Sequence, residues 1–350
     1  MHILSEPNVS HIFRSLTQKQ CHDFISILGS ALVGYSAESK PTVPESEKLI
    51  HQPLRTVFTT KANNSCIFMP VSDTATSAVK VVTVGKSGIQ GTINIFLPDG
   101  RLQGLLAAAE VTAFRTALAS MTLFVRCTTL RKENVLVMGS GRQAEWHARL
   151  ALLLYPDLIR RVTFINRGRQ RLDDMERDVL GELRERYPSV SFSVFAKEGA
   201  EDYDGRLLRE LQASDAIFSC TPATEPNFTF EALQSVPKQR FISLIGSYKP
   251  HMKEIDTETL FSGGGKVYVD SKSACLEESG ELITAKMTED QLIEMGDMLG
   301  EQSLSGDLEI PDGCNVLYKC VGMGLMDLVV GKQLLEIGSE QGLGTHVDGF

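Results

Sequence analysis

The chain has 350 residues, and 44 Asp and Glu against 35 Lys and Arg give it a formal net charge of −9. This acidic balance argues against a protein that binds the phosphate backbone of nucleic acids, because such proteins need a basic face. With 42% hydrophobic and 23% charged residues the composition is globular, and the length suffices for about two domains.

Cysteine usage and hydropathy indicate the compartment. The seven cysteines are scattered without a C-x-x-C pair, which favours reduced thiols in an intracellular protein over a disulfide framework or a zinc site. The most apolar long stretch, residues 104–125, is interrupted by Glu110 and Arg115 and does not predict a membrane span. The first residues lack the pattern of a secretory signal. We therefore expect a cytoplasmic protein without a metal site, a membrane contact or a nucleic-acid partner.

Residues 1–130 predict a mixed α/β region. Apolar residues recur at helical spacing over 12–33, which predicts one helix there. Short β-rich runs follow, separated by turn residues and no helical pattern, so an antiparallel sheet is predicted. These runs are 55–58, 66–69, 78–82, 92–96 and 102–107. An Ala- and Leu-rich helix is predicted over 109–130.

From Asn134 onward, strand and helix patterns alternate. Val135-Leu136-Val137-Met138 is a continuous apolar run, as in a buried parallel strand. The alternation continues through residue 270 and is typical of a doubly wound α/β sheet. Residues 315–337 carry the amphipathic spacing of a final helix.

A glycine-rich turn follows the first strand of this second region. Gly139-Ser140-Gly141-Arg142-Gln143-Ala144 matches the G-x-G-x-x-G/A fingerprint and opens a predicted helix. Gly139 would make the tight turn, Gly141 would let the backbone approach a pyrophosphate, and Ala144 would let the helix pack on the strand. The helix N-terminus offers N–H groups and a positive dipole to phosphates. We expect residues 139–143 to bind a dinucleotide, the alternative being a chance glycine-rich turn.

The end of the next predicted strand bears on the choice of cofactor. An NAD site usually places Asp or Glu there to bind the ribose 2′-hydroxyl. Here the strand runs into Asn166-Arg167-Gly168-Arg169, whose amide and guanidinium groups suit a 2′-phosphate. NADPH is therefore favoured over NADH, unless Arg167 and Arg169 are simply solvated at a helix start.

A later strand end is expected to contact the nicotinamide half of the cofactor. Ser219-Cys220-Thr221 closes the fourth strand of the second region, and ligands of doubly wound sheets gather at the carboxyl ends of strands. Cys220 and Thr221 are predicted cofactor contacts, with side-chain packing as the alternative. No His is identifiable by sequence as a partner of Cys220, so a nucleophilic role is not expected.

Five further stretches combine with the glycine fingerprint into a recognisable set, in order along nearly the whole chain. They are Leu54-Arg55-Thr56, Met69-Pro70, Val79-Lys80-Val81-Val82-Thr83, Ala113-Phe114-Arg115-Thr116-Ala117 and Lys319-Cys320-Val321-Gly322-Met323-Gly324-Leu325-Met326-Asp327. Together they resemble the ornithine cyclodeaminase/μ-crystallin family. The resemblance implies a Rossmann domain, residues 131–314, inserted in a discontinuous α/β substrate-binding and dimerisation domain made of residues 1–130 and 315–350. It also implies a homodimer.

The resemblance implies roles for three basic residues. Arg55, Lys80 and Arg115 match positions that bind a substrate carboxylate beside the nicotinamide, and Lys80 and Arg115 are the implied catalytic pair. An arginine fork would suit an α-imino carboxylate, because it fixes the C=N carbon for hydride transfer. Met69 is implied in substrate binding, and Thr83 and Ser247 in cofactor binding.

Structural explanations for the same basic residues stay open. Arg55 would then be an ordinary surface residue, and Arg115 a salt-bridge partner of Glu110 or Glu145. Lys80 lies in an otherwise apolar strand, and it would then extend its ammonium group to solvent.

The chain departs from the cyclodeaminase pattern at two places. Cyclodeaminases carry Glu two residues before the Met-Pro pair, where this chain has Ile67, and Asp where this chain has Tyr248. A phenol with an ordinary pKa near 10 is a poor base at neutral pH. Tyr248 is a candidate catalytic residue that donates or orients a water, or it only lines the pocket.

What remains can bind a carboxylate and deliver a hydride, which resembles the ketimine (Δ1-pyrroline-2-carboxylate) reductase branch of the family and implies an imine reductase. NADPH would deliver hydride to C2 of a protonated cyclic imine, Δ1-pyrroline-2-carboxylate or Δ1-piperideine-2-carboxylate, giving L-proline or L-pipecolate. One alternative is an ornithine cyclodeaminase or amino-acid dehydrogenase on the same fold. The other is a non-catalytic protein that binds NADPH or a small ligand.

Overall fold

The computed structural model describes residues 1–73, 75–85, 88–302 and 306–349. The chain divides into two compact units, and the second interrupts the first in sequence. Unit 1 comprises Met1–Thr116 and Gly322–Phe350, and unit 2 comprises Ala117–Val321. In the part of the chain described, no helix is both long and apolar enough to cross a membrane.

Strands and helices are numbered in chain order over the described residues. The strands are β1 (His2–Leu4), β2 (Thr56–Thr59), β3 (Ser65–Ser72), β4 (Ser77–Gly85), β5 (Gly88–Phe96), β6 (Leu102–Ala107), β7 (Asn134–Met138), β8 (Arg161–Asn166), β9 (Ser191–Ala196), β10 (Ala216–Ser219), β11 (Phe241–Leu244), β12 (Val267–Val269), β13 (Leu292–Glu294), β14 (Val316–Lys319) and β15 (Thr345–His346). The α-helices are α1 (Glu6–Arg14), α2 (Gln18–Glu38), α3 (Ala108–Phe124), α4 (Arg142–Leu154), α5 (Gln170–Met175), α6 (Gly181–Arg186), α7 (Tyr203–Ala213), α8 (Phe230–Gln234), α9 (Thr257–Phe261), α10 (Lys272–Glu278), α11 (Gly280–Thr284), α12 (Met295–Gln302) and α13 (Gly324–Glu340).

Unit 1 is built on one sheet with the strand order β15-β1-β6-β5-β4-β3-β2. Strands β2 to β6 form an antiparallel meander, as predicted. No strand is predicted at residues 2–4, where β1 pairs with β6 in parallel. A parallel pair needs a crossover connection, and here the described residues between the two strands form two α-helices, one short 3-10 helix and four strands.

Helices cover the sheet of unit 1. The single helix predicted over 12–33 is two helices, because Thr17 ends the first pattern and caps α2, its backbone N–H donating to the Gln20 side chain at 2.9 Å. Helix α13 packs on β3, β4 and β5. The packing is close, since a Cβ at Gly331 would lie 2.9 Å from Ile95 Cδ1. This contact brings the first turn of α13 to the buried face of β4.

Unit 2 is an eight-stranded parallel sheet with the order β13-β12-β14-β11-β10-β7-β8-β9. Its inner strands β7, β10 and β11 are almost wholly buried, as in a sheet covered on both faces, so the predicted doubly wound sheet is confirmed. The order reverses between β10 and β7, and such a switch point is where open α/β sheets bind ligands.

The final predicted helix is wrong at its start. Residues 316–319 form the central strand β14, and α13 begins only at Gly324. The run Val316-Leu317-Tyr318 is apolar on both faces, a pattern that a buried strand shares with a buried helix. The helix predicted over 109–130 is α3, which ends at Phe124.

Candidate active site

The glycine fingerprint forms the turn between β7 and α4. Gly139 has a φ of 115°, a left-handed conformation that favours glycine, and a Cβ there would lie 3.0 Å from the Cys220 carbonyl oxygen. Its N–H donates to the Ile165 carbonyl at 2.7 Å. Helix α4 begins at Arg142, and its N-cap residue is Gly141, which has no side chain to cap the first turn. The turn therefore presents the N–H groups of a 13-residue helix.

The residues of this turn fit a dinucleotide pyrophosphate. A Cβ at Gly141 would meet nothing within 4 Å, so space is open beside the helix start. Within the described ranges, the buried hydroxyl oxygen of Ser140 has no hydrogen-bond partner. An orphaned buried donor is costly unless a ligand satisfies it. Arg142 is exposed and Gln143 half-buried, both in the first turn of α4.

The end of β8 carries the predicted amide and guanidinium groups. Asn166 donates from Nδ2 to the Gly168 carbonyl at 2.9 Å, and Arg167 is exposed. Arg169 pairs with Asp173 at 2.6 Å and with Glu176 at 3.2 Å.

A carboxylate also reaches this loop, from the segment that follows the neighbouring strand β9. Glu198 Oε2 accepts the backbone N–H of Arg169 at 2.9 Å, and the Glu198 N–H donates to the Arg167 carbonyl at 2.9 Å. Sequence reasoning missed Glu198, because only the pairing of β8 with β9 reveals its position.

Cys220 follows β10 and lies against the fingerprint helix. Its Sγ is 3.8 Å from Nδ1 of His147, and burial raises the pKa of the Cys220 thiol well above its usual range. His147 itself is fully buried, and burial lowers its pKa to about 4. Its Nε2 lies 2.9 Å from Ser120 Oγ, so both ring nitrogens have partners. A protonated thiol beside a neutral imidazole is a packing arrangement and not an activated nucleophile.

Thr221 lies in the loop after β10 and Ser247 in the loop after β11. The buried carboxylate of Glu254, which sequence reasoning missed, binds the backbone of both. Glu254 accepts the Thr221 N–H at 3.0 Å on Oε1 and the Ser247 N–H at 3.3 Å on Oε2. Burial raises the pKa of Glu254 to about 7, although Lys319 and the hydrogen bonds lower it. Tyr248, also in the second loop, is half-buried, and the Lys249 ammonium lies 5.6 Å from its ring centroid.

Unit 1 brings Lys80 and Arg115 together on one carboxylate. Lys80 lies on the buried face of β4, 3% exposed, and its Nζ is 2.5 Å from Asp327 Oδ2. Arg115 donates from Nε to Asp327 Oδ1 at 3.1 Å. Lys80 therefore does not extend to solvent. Asp327 itself was not among the predicted site residues.

The surroundings of this cluster fix its geometry. Asp327 is in the first turn of α13, where the helix dipole favours a negative charge. Gly322 has a φ of 88°, and a Cβ there would lie within 2.5 Å of the Arg115 guanidinium. A glycine is therefore needed at this position to make room for Arg115.

The cluster of Lys80, Arg115 and Asp327 holds two cations and one anion, so it carries a net charge of +1 when all three are ionised. Burial lowers the pKa of Lys80 to about 8, opposed by Asp327 and reinforced by Arg115 and Arg55. Arg55, half-buried just before β2, thus acts on Lys80 electrostatically. A buried excess of positive charge is stabilised by an anionic ligand.

The other predicted residues of unit 1 lie on β3 and β4. Met69 is buried and directly opposite Lys80 in the strand pair. Thr83 lies three residues after Lys80 on β4, hence on the other face of the sheet, and its hydroxyl is 3.5 Å from Cys66 Sγ. Ile67, at the position of the cyclodeaminase Glu, pairs with Val82.

No family model matches the chain. It is 33% identical to an uncharacterized protein of Saccharomyces cerevisiae over 305 residues, which covers 79% of this chain and 82% of the relative. It is 27% identical to a Delta(1)-pyrroline-2-carboxylate reductase of Bacillus cereus, covering 93% and 95%. Ketimine reductase mu-crystallin of Mus musculus is 26% identical, with 81% and 84% covered.

A solved structure shares the fold over both chains. The Thermococcus litoralis Delta(1)-pyrroline-2-carboxylate reductase, in complex with NADH and L-proline, superposes with a TM-score of 0.79 at 20% identity, covering 99% of this chain and 100% of that one. The predicted fold class is confirmed. The chain belongs to the ornithine cyclodeaminase/μ-crystallin family and is an NAD(P)H-dependent oxidoreductase.

Proposed function

We propose that the chain reduces a cyclic α-imino acid, Δ1-pyrroline-2-carboxylate to L-proline or Δ1-piperideine-2-carboxylate to L-pipecolate, with NADPH as the reductant. The observation that carries the proposal is the buried cluster of Lys80, Arg115 and Asp327. Its two buried cations suit a small carboxylate, and an arginine in the cluster can orient that carboxylate as a fork.

Residues of unit 1 supply substrate recognition in this proposal. Arg115 fixes the carboxylate, Lys80 adds a second charge, and Asp327 holds both cations in place. Met69, opposite Lys80, offers apolar surface to the ring. Positioning of this kind lowers the barrier because the reacting carbon is held in one orientation.

Unit 2 binds the cofactor in this proposal. A bound nicotinamide supplies the hydride, and residues 139–143 would hold its pyrophosphate. Arg167 and Arg169 favour the 2′-phosphate of NADPH, whereas Glu198 beside them favours a ribose hydroxyl. The exposed guanidinium of Arg167 supports the proposal of NADPH, because it can turn toward a phosphate.

The proton needed by the amine product requires no strong enzymatic acid, because the imine nitrogen arrives protonated. Lys80, with its pKa lowered to about 8, is mostly protonated at neutral pH and keeps its charge for the carboxylate. Tyr248 would orient a water in the loop after β11.

We also propose that the chain forms a homodimer. Strand β2 is an edge of the sheet of unit 1, and it leaves Val57 51% and Phe58 50% exposed. Edge strands with exposed apolar residues associate readily with a second copy. Light scattering on the wild type should give twice the mass of one chain. A Val57→Lys, Phe58→Lys double variant should give the mass of a single chain. A monomeric wild type would contradict the homodimer.

Turnover assays test the proposed function against its alternatives. NADPH oxidation is followed with each cyclic imine, beside ornithine with NAD⁺ monitored for ammonia. Reduction of either imine without ammonia from ornithine supports the reductase. Ammonia from ornithine would overturn it in favour of a cyclodeaminase, and nucleotide binding without any turnover would favour a binding protein.

A further inference from the structure

One buried carboxylate joins the two loops at the carboxyl edge of the parallel sheet. Glu254 Oε1 accepts the Ser219 hydroxyl at 2.6 Å and the Thr221 N–H at 3.0 Å, both from the end of β10. Glu254 Oε2 accepts the Gly246 N–H at 2.7 Å and the Ser247 N–H at 3.3 Å, both from the loop after β11. Each oxygen therefore serves one loop.

The two loops touch each other through their backbones. A Cβ at Gly246 would lie 1.9 Å from the Thr221 carbonyl oxygen, so only glycine fits between them. Small shifts of one loop must therefore move the other. Ligands of doubly wound sheets bind just beyond this edge.

Glu254 is itself held rigidly. Its N–H donates to Glu281 Oε1 at 2.8 Å, and the Glu281 carboxylate also accepts the hydroxyl of Ser247 at 2.6 Å. Lys319, at the end of β14, donates to the Ser247 carbonyl and lies 3.9 Å from Glu281. Three strand ends thus converge on one buried polar network.

We propose that Glu254 is a positioning residue whose carboxylate holds the loops at Thr221 and Gly246 in the arrangement that receives the nicotinamide half of the cofactor. The inference rests on the proposed function, since it assumes a nicotinamide cofactor at this edge. Glutamine cannot replace the carboxylate, because the amide has one oxygen and its NH₂ would face the donors of one loop.

The chain offers a matched control at the opposite edge of the same sheet. Asp215 is also buried, accepts the Asn134 N–H at 2.9 Å and pairs with Lys238 at 2.8 Å. It precedes β10 and so lies at the amino edge. An Asp215→Asn variant removes a comparable buried charge without touching the two loops.

The experiment compares Glu254→Gln, Asp215→Asn and wild type in thermal melting, in binding of NADPH and of 2′,5′-ADP, and in kcat for the imine. 2′,5′-ADP lacks the nicotinamide, so its affinity measures only the binding of the adenosine part of the cofactor. Glu254→Gln should bind NADPH about tenfold or more weakly, the size of a lost hydrogen bond to a charged group. Its kcat should also fall, while its affinity for 2′,5′-ADP stays that of wild type. Asp215→Asn should retain the wild-type NADPH affinity, 2′,5′-ADP affinity and kcat. Equal loss of both nucleotides, or wild-type NADPH affinity in Glu254→Gln, would overturn the proposal.

A milder variant covers the case in which Glu254→Gln does not fold. Ser219→Ala removes one donor from Oε1 and should weaken NADPH binding about threefold with 2′,5′-ADP binding unchanged. An unchanged NADPH affinity in this variant would then overturn the proposal. If wild type binds NADPH but reduces no imine, the proposed function fails, and the comparison of the two nucleotides still decides the role of Glu254.

Discussion

Buried carboxylates have opposite tasks in the two units. Asp327 in unit 1 pairs with two buried cations, Lys80 and Arg115. Glu254 in unit 2 is surrounded by N–H and O–H donors of two loops and is satisfied within the protein. In the proposed function the cations of unit 1 recognise an anion, whereas the carboxylate of unit 2 fixes backbone shape. Variants that exchange or remove these groups test that distinction.

The largest effect is expected from Arg115→Ala, which removes the fork of unit 1. We expect kcat/KM for the imine to fall by about three orders of magnitude, since substrate orientation and charge pairing are both lost. NADPH affinity, measured by fluorescence titration, should stay unchanged. Arg115→Lys, which keeps the charge without the fork, should be intermediate. Near wild-type kcat/KM in Arg115→Ala would contradict the role given to unit 1.

Removal of the shared carboxylate tests the charge balance directly. Asp327→Asn leaves two buried cations without their anion, which should cost about 3–5 kcal/mol in the free energy of unfolding. Pyrrole-2-carboxylate, a planar anion without an ionising imine, should then raise Tm more in the variant than in wild type. Asp99→Asn, at an exposed ion pair with Arg101, serves as the control and should behave as wild type. If pyrrole-2-carboxylate raised Tm equally in Asp327→Asn and wild type, Asp327 would not be the group that balances the charge of Lys80 and Arg115.

The pH dependence of ligand binding sharpens the same point. Lys80 has its pKa lowered to about 8, so its charge is present below that pH and is lost as pH rises through it. Binding of pyrrole-2-carboxylate should therefore weaken above pH 8 in wild type, as read by competition with the imine. Lys80→Arg keeps its charge throughout and should bind without that inflection. The same inflection in Lys80→Arg would assign the titration to another group.

The smallest effect is expected at the adenosine end of unit 2. Glu198→Gln removes the carboxylate beside Arg169 and should shift the NADPH-to-NADH ratio of kcat/KM about threefold toward NADPH, because exposed charges interact weakly. Arg167→Ala should shift the ratio the other way. Shifts of the reverse sign in both variants would mean that NADH is the preferred cofactor.

Local patterns predicted the parts of the molecule that depend on neighbouring residues. The fingerprint turn at Gly139 and the parallel strands around it follow from spacing and hydropathy alone. The apolar strand around Lys80 left open whether its ammonium group is buried or extends to solvent, and its ion pair with Asp327 shows that it is buried. The spacing predicts helix where β14 lies, because a strand buried on both faces has the same continuous apolar pattern as a buried helix.

Long-range partners could not be predicted in the same way. Asp327 is 247 residues from Lys80, and Glu254 is 35 residues from Ser219. No periodicity links such positions, so only the packing of α13 on β4 and the convergence of strand ends reveal the pairs. Family resemblance pointed to the cations of unit 1 but did not assign the carboxylate that holds them.

Isotope transfer tests imine reduction most directly. NADPH carrying deuterium at both C4 positions is incubated with Δ1-pyrroline-2-carboxylate or Δ1-piperideine-2-carboxylate, and the product is analysed by mass spectrometry and NMR. The account predicts L-proline or L-pipecolate with one deuterium at C2 from wild type, and none from Arg115→Ala. An unlabelled amino acid, or no amino acid from wild type with either imine, would contradict hydride transfer to the C=N carbon.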